Sequence, residues 1–152
     1  MSIRPYRPDD LAAVVALFHA AVHALGRTHY DEHQLAAWAP DEPDMRTWAE
    51  RLTADTVLVM EHAGGIAGFI AFREDGYIDM LFVHPDRTRS GVARELHTAA
   101  EMQLGQTKVL HTHASLVARP FFESRGYHVV AEESVVRAGI ALRRYDMRRQ
   151  RA

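Results

Sequence analysis

Three strand-like runs, residues 56–61, 66–73 and 77–83, are joined only by Ala63, Gly64 and Gly65 and then by Glu74, Asp75 and Gly76. The runs are rich in β-branched and aromatic residues, and both connectors carry the chemistry of tight hairpin turns. Connectors this short leave no room for the crossover helix that parallel neighbours need, so the middle of the chain is expected to be an antiparallel meander. That counts against a phosphate- or nucleotide-binding module built on a wholly parallel sheet.

Around the meander the spacing is helical. Ile3 to Arg7 reads as a first strand. Asp9 or Asp10 is placed to cap a helix with the apolar stripe Leu11, Val14, Val15, Phe18, Ala21, Val22 and Leu25, and Gly26 to end it. Asp31 and Gln34 have capping-box spacing for a short helix through Trp38, Pro40 stops it, and another helix is expected over roughly 43–52. Downstream, residues 108–113 read as a strand and 117–125 as a short helix with Pro120 in its first turn. Residues 128–136 and 140–147 read as a final antiparallel pair.

Chemistry is concentrated in residues 77–93. The strand Tyr77 to Val83 has one charge, Asp79, and Pro85 ends it; after a polar loop, Val92, Leu96, Ala99, Ala100 and Leu104 recur at helical spacing. Gly91 therefore falls at a helix N-terminus, where unpaired NH groups and the helix dipole favour an anion and glycine allows close approach. Arg87 and Arg89 add positive charge beside it.

This junction resembles motif A of the GNAT superfamily, the acetyl-CoA-dependent N-acetyltransferases, in which a strand ending V-x-P leads into Q/R-x-x-G-x-G/A. Thr88, Arg89, Ser90, Gly91, Val92 and Ala93 fill those six positions, with Thr88 where Gln or Arg is usual. Residues 115–127 resemble the family's N-x-x-A-x-x-L-Y-E-x-x-G-F pattern through Ala118, Glu123, Gly126 and Tyr127. Ser115 stands in place of the Asn. Phe122 stands in place of the Tyr that often protonates the departing thiolate, and a phenyl ring cannot donate a proton. The segment HYDEHQLAAWAP, from His29, is similar to that of YafP-type bacterial members.

The resemblance implies one α/β (α+β) domain over residues 1–152, with about seven strands in a mixed, mostly antiparallel, twisted sheet flanked by helices. It further implies acetyl-CoA in a V-shaped gap between the central strands. The backbone of Leu81, Phe82 and Val83 and of Thr88 to Ala93 would hold it, with Ser115 and Phe122 along the pantetheine and thiol. The reaction implied is direct acetyl transfer to a primary amine, without a metal. The rival is a catalytically silent acyl-CoA-binding or regulatory domain, suggested by Thr88, Ser115 and Phe122 together.

Such a transfer needs a neutral amine, and freeing a lysine-like amine at pH 7 costs about 4 to 5 kcal/mol without a base. Asp79 is the first candidate base: burial among apolar neighbours would raise its pKa, whereas an arginine partner would lower it. His29 and Tyr30 form a second candidate pair, in the loop that the family places over the acceptor, and Trp38 is a candidate wall. His113 is a third candidate, sharing a strand face with His111; the H-x-H spacing alone supplies too few ligands for a metal. Tyr145 is a candidate proton donor in place of Phe122. A backbone NH among residues 81–83 is the candidate oxyanion donor.

The chain's 152 residues, 47% apolar, suffice for a core without metal or disulfide. It has no cysteine, which excludes a thiol nucleophile and leads us to expect a cytoplasmic protein. No apolar run is expected to span a membrane. The basic end, Arg143 to Arg151, lacks the aromatic interleaving of a nucleic-acid surface, and the acidic stretch from Asp31 to Asp55 reads as a solvated face or as a lure for a cationic amine. Edge strands near the C-terminus make a homodimer a further expectation.

Overall fold

The structure, a computed structural model, describes residues 1–151. Its strands are β1 (Ser2–Pro5), β2 (Thr56–His62), β3 (Gly65–Phe72), β4 (Tyr77–Val83), β5 (Val109–Ser115), β6 (His128–Arg137) and β7 (Ile140–Gln150). They form one sheet in the order β1-β2-β3-β4-β5-β7-β6. Every neighbouring pair is antiparallel except β4 with β5. The meander is thus β2, β3 and β4, as the short connectors require.

Five α-helices cover the two faces. On one face α1 (Leu11–Leu25), α2 (Glu32–Trp38) and α3 (Met45–Ala54) bury Val14, Phe18, Leu35 and Leu52 against Val59, Phe69 and Met80. On the other, α4 (Val92–Gln103) and α5 (Arg119–Ser124) bury Val92, Leu96, Ala100 and Phe122 against Ile70, Ile78, Leu110 and Met147. Burying such a side chain contributes about 1.5 to 3 kcal/mol, so the sheet's two faces dominate the fold's stability.

Local signals set the helix ends, with two differences from expectation. The Asp31–Gln34 capping box forms in full: Asp31 Oδ1 accepts from Gln34 N at 2.8 Å, and Asp31 N donates to Gln34 Oε1 at 3.0 Å. Asp10, by contrast, precedes α1 without a side-chain cap; its carboxylate accepts from Arg7 N and is gripped by Arg4 at 2.8 and 2.9 Å. Gly26 closes α1 with φ −80°, so a left-handed turn is not its role. A Cβ there would come within 2.7 Å of Leu35, and glycine is what lets α2 pack so close.

The expectation that no run reaches membrane-spanning length is also corrected. Residues Pro8–Thr28, 21 in all, are long and apolar enough by length and composition. In the fold, however, this segment is a core element, with Val14, Val15, Leu17, Phe18, Ala21 and Val22 buried.

Candidate active site

The cleft begins where the sheet comes apart. Strands β4 and β5 pair only at Tyr77–His111 and Ile78–Thr112, and Thr112 Oγ1 donates to Ile78 O at 2.8 Å at the last rung. Immediately beyond, Ala71 pairs with Met80 while Phe72 pairs with Ile78, leaving Asp79 as the extra residue of a β-bulge. A bulge bends its strand and upsets the alternation of faces. Leu81 to Val83 continue to pair with β3, so their other edge borders an opening instead of β5.

One side of the opening is a cavity of about 800 Å³ lined by Leu81 to Val83, Arg87 to Arg89, Gly91 to Arg94, Ser115 and Phe122. Gly91 is the N-cap of α4 with φ 86°, a left-handed conformation that glycine adopts without a Cβ penalty. Among the described residues, no hydrogen bond is donated by the backbone NH groups of residues 88–94. The helix end is pinned from beneath by Gly68, where a Cβ would come within 2.7 Å of Val92. Thr88 Oγ1 and Ser90 Oγ bond to loop carbonyls, Pro85 O and Arg87 O, and so shape the loop. Free NH groups, the dipole and the flanking arginines together suit an anion.

The other side is a cavity of about 330 Å³ walled by Phe18, Trp48, Tyr77, Asp79, His113, Arg51, Arg137, Arg143 and Arg144. The two cavities share Trp38, Leu81, Phe82, Ser115, Ala118 and Phe122. They meet at the splayed edge.

The candidate bases fare differently in this cleft. Asp79 has the arginine partner: Arg51 Nε and Nη2 donate to its two oxygens at 2.9 and 2.8 Å, and Arg73 stands 3.9 Å away. Desolvation opposes this, but Arg51 and the neighbouring Asp55 hold the Asp79 carboxylate below its usual range. Burial pushes Asp55 up to about 6 instead. Its Oδ2 is buried and has no hydrogen-bond partner among the described residues.

His113 occupies the cavity with a partner that sequence reasoning missed. Tyr77 Oη lies 2.8 Å from His113 Nδ1, and Glu133 Oε1 lies 3.5 Å from Nε2. Glu133 favours the proton on Nε2, which leaves Nδ1 to accept from the phenol. Burial, with Arg144 nearby, pulls the His113 imidazole below the ordinary histidine range, so it is a free base at neutral pH. Burial raises Tyr77 and keeps it protonated.

The remaining candidates are structural or displaced. Tyr30 lines the smaller cavity, but its hydroxyl accepts from Leu116 N at 3.0 Å and donates to Arg143 O at 2.9 Å, tying α2's entry to β7. His29 is exposed and outside both cavities. Tyr145 pairs with Ala114, on the α4 face of the sheet, with the Arg119 guanidinium 4.5 Å over its ring. A strand alternates faces, so Tyr145 cannot share a side with His113. Ser115 Oγ accepts from Ala118 N at 3.1 Å and so starts the turn into α5.

His111 and His113 gather no third metal ligand among the described residues. His19, His23 and Asp41 do cluster at ligand spacing, away from the cleft, where His19 Nε2 bonds Asp41 Oδ1 at 2.8 Å and His23 Nε2 bonds Ala39 O at 2.7 Å.

The acetyltransferase (GNAT) domain family matches residues 27–149. The chain belongs to the GNAT acetyltransferases. YafP of Escherichia coli K12, an uncharacterized N-acetyltransferase, is 36% identical over 148 residues, covering 97% of this chain and 95% of that one. A GCN5-related N-acetyltransferase from Rhodopseudomonas palustris superposes with a TM-score of 0.94 at 33% identity, over 98% and 94% of the two chains. PaiA N-acetyltransferase from Thermoplasma acidophilum, solved with coenzyme A, superposes at 0.76 with 14% identity over 99% of each, a likeness of GNAT fold alone.

Proposed function

We propose that this GNAT enzyme transfers an acetyl group from acetyl-CoA directly to a primary amine, the two substrates entering the cleft from opposite sides. What carries the reading is the meeting of a backbone-lined anion seat with a cavity holding a neutral histidine, across one splayed strand edge. The residues fit coenzyme A. The NH groups of residues 88–94 and Arg87 and Arg89 would hold its diphosphate, and Leu81 to Val83, Ser115 and Phe122 would follow the pantetheine. The cosubstrate supplies an acetyl thioester. A backbone NH among Leu81 to Val83 would stabilise the oxygen that gains negative charge.

In the acceptor cavity, Tyr77 and His113 act as one base. The amine's proton passes to Tyr77 Oη as the phenol's own proton passes to His113 Nδ1, and the imidazolium that results is stabilised by Glu133. Asp79 is held by Arg51 and serves to position the bulged strand. Phe122 gives the thiolate no proton; a thiol pKa near 8.5 makes it a tolerable leaving group without one.

We place the enzyme in the cytoplasm, on its lack of cysteine. A second copy pairing along β6, where Val130 and Val136 are exposed at the sheet's edge, is a proposal that light scattering reads directly. The function is tested by calorimetry with acetyl-CoA together with thiol release over a broad panel of free amines and peptide N-termini. Binding with amine-dependent release is expected. Tight binding without release from any amine would favour the silent acyl-CoA-binding reading.

A further inference from the structure

The acceptor cavity has an unusual charge balance. Four arginines, Arg51, Arg137, Arg143 and Arg144, line it against one carboxylate, Asp79. Asp79 is already spent on Arg51, through two hydrogen bonds of 2.8 and 2.9 Å. Arg143 pairs with Glu132 and Arg144 with Glu133, and neither glutamate lines the cavity. Arg137, the last residue of β6, has no carboxylate partner among the described residues; its one hydrogen bond, 3.4 Å, goes to its neighbour's carbonyl, Val136 O. The acidic residues of 31–55 do not redress this. Asp31 and Asp44 cap helices, Asp41 meets His19, Glu50 meets Arg46, and none of them lines the cavity.

A polyamine or a lysine side chain would bring a second cation or a basic peptide to this wall and find no free carboxylate. A molecule with an anionic group would find the fork of Arg137, whose geometry matches a carboxylate. The same cavity is lined by an apolar cluster: the Phe18 ring meets Trp48 at 4.8 Å and Phe82 at 4.9 Å, edge to face. We propose that the acceptor is a small amine carrying a carboxylate and an apolar or aromatic body, of the α-amino-acid kind, with Arg137 as its carboxylate anchor. This rests on the acetyl-transfer reading above and names the substrate class for it.

Matched amines test it. Phenylalanine and 2-phenylethylamine differ by the carboxylate alone, and spermidine is the cationic comparator. In thiol-release assays, phenylalanine should exceed 2-phenylethylamine by about 10-fold in kcat/KM, the worth of one charged hydrogen-bonded pair. Arg137→Gln should collapse that ratio to about 2-fold, and Arg137→Lys, which keeps charge but loses the fork, should fall between. A preference for spermidine, or an equal loss on both amines in Arg137→Gln, overturns the proposal while leaving acetyl transfer intact. A second measurement needs no turnover: binding of N-acetylphenylalanine and N-acetylphenethylamine to the coenzyme A-loaded protein by calorimetry. Tighter, Arg137-dependent binding of the carboxylate compound supports the anchor even if no amine is acetylated; equal binding refutes it.

Discussion

The larger cavity, around the proposed anion seat at residues 88–94, and the smaller cavity, the proposed acceptor side, share six wall residues, yet they are made of different materials. The seat is contiguous in sequence and built from main-chain NH groups at one helix end, so its chemistry tolerates most side chains provided Gly91 keeps its left-handed turn. The smaller cavity draws on β4, β5, β6, β7, α1 and α3, and its closest polar contacts join side chains far apart in sequence, such as Tyr77 with His113 or Arg51 with Asp79. A backbone site keeps one ligand chemistry through changes of residue; a side-chain site changes with single substitutions. In a family that shares a cosubstrate, acceptor choice is therefore expected to reside in the second.

Substitutions on the two sides should separate cleanly. The largest effect is expected at the base: Tyr77→Phe and His113→Gln should each lower kcat by about 100-fold while leaving acetyl-CoA affinity, read by calorimetry, unchanged. If affinity falls instead, the two sides are not independent. Because the base must be unprotonated, the wild-type rate should fall as pH drops through the His113 pKa. The acid limb of kcat/KM therefore lies below the ordinary value of 6.5. On the seat side, Gly91→Glu places a carboxylate where the proposed diphosphate would sit, and acetyl-CoA should bind about 30-fold more weakly, the worth of one lost charged hydrogen bond. Gly91→Ala keeps the charge neutral and adds only backbone strain, about 1 kcal/mol, which separates repulsion from geometry.

A smaller effect concerns the ground under the seat. His97 of α4 is fully buried, bonded to Tyr127 Oη at 2.8 Å and approached by Arg125 and Glu101. Burial pulls its pKa down to about 4 from 6.5. The unfolded chain therefore takes up this proton before the folded one does, and stability falls as pH drops from about 6.5 to about 4. The loss is on the order of 2 kcal/mol. Urea midpoints across that window should show a slope that His97→Leu flattens, whatever the variant's absolute stability. The smallest effect is expected at the shared wall, where Phe122→Tyr should change kcat by no more than about 3-fold if the thiolate leaves unaided. A large gain would show that the missing hydroxyl limits the enzyme.

How far these regions could be read in the sequence follows from the same contrast. The capping box at Asp31 and Gln34, the tight turns of the meander and the helix start at Gly91 are local signals, and each stands in the structure close to where its residues place it. The pairing of Tyr77 with His113 spans 36 residues and that of Arg51 with Asp79 spans 28. No local signal announces either. The basic C-terminal run was legible only as a solvated strand, because which of its arginines turn toward the cleft depends on the β6–β7 register. Tyr145 illustrates the point: its pairing with Ala114 puts it on the α4 face, while Arg144, one residue earlier, lines the smaller cavity.

The sequence by itself determined the antiparallel meander and the helix that follows Gly91, since hairpin turns, apolar periodicity and a glycine cap act over a few residues. Tertiary structure alone decided that Asp79 is bound by arginine, that His113 is a free base with a phenol beside it, and that Arg137 lines the smaller cavity. Proton affinity and charge balance depend on burial and on neighbours brought together across the sheet, and those distances are set only once the strands have paired.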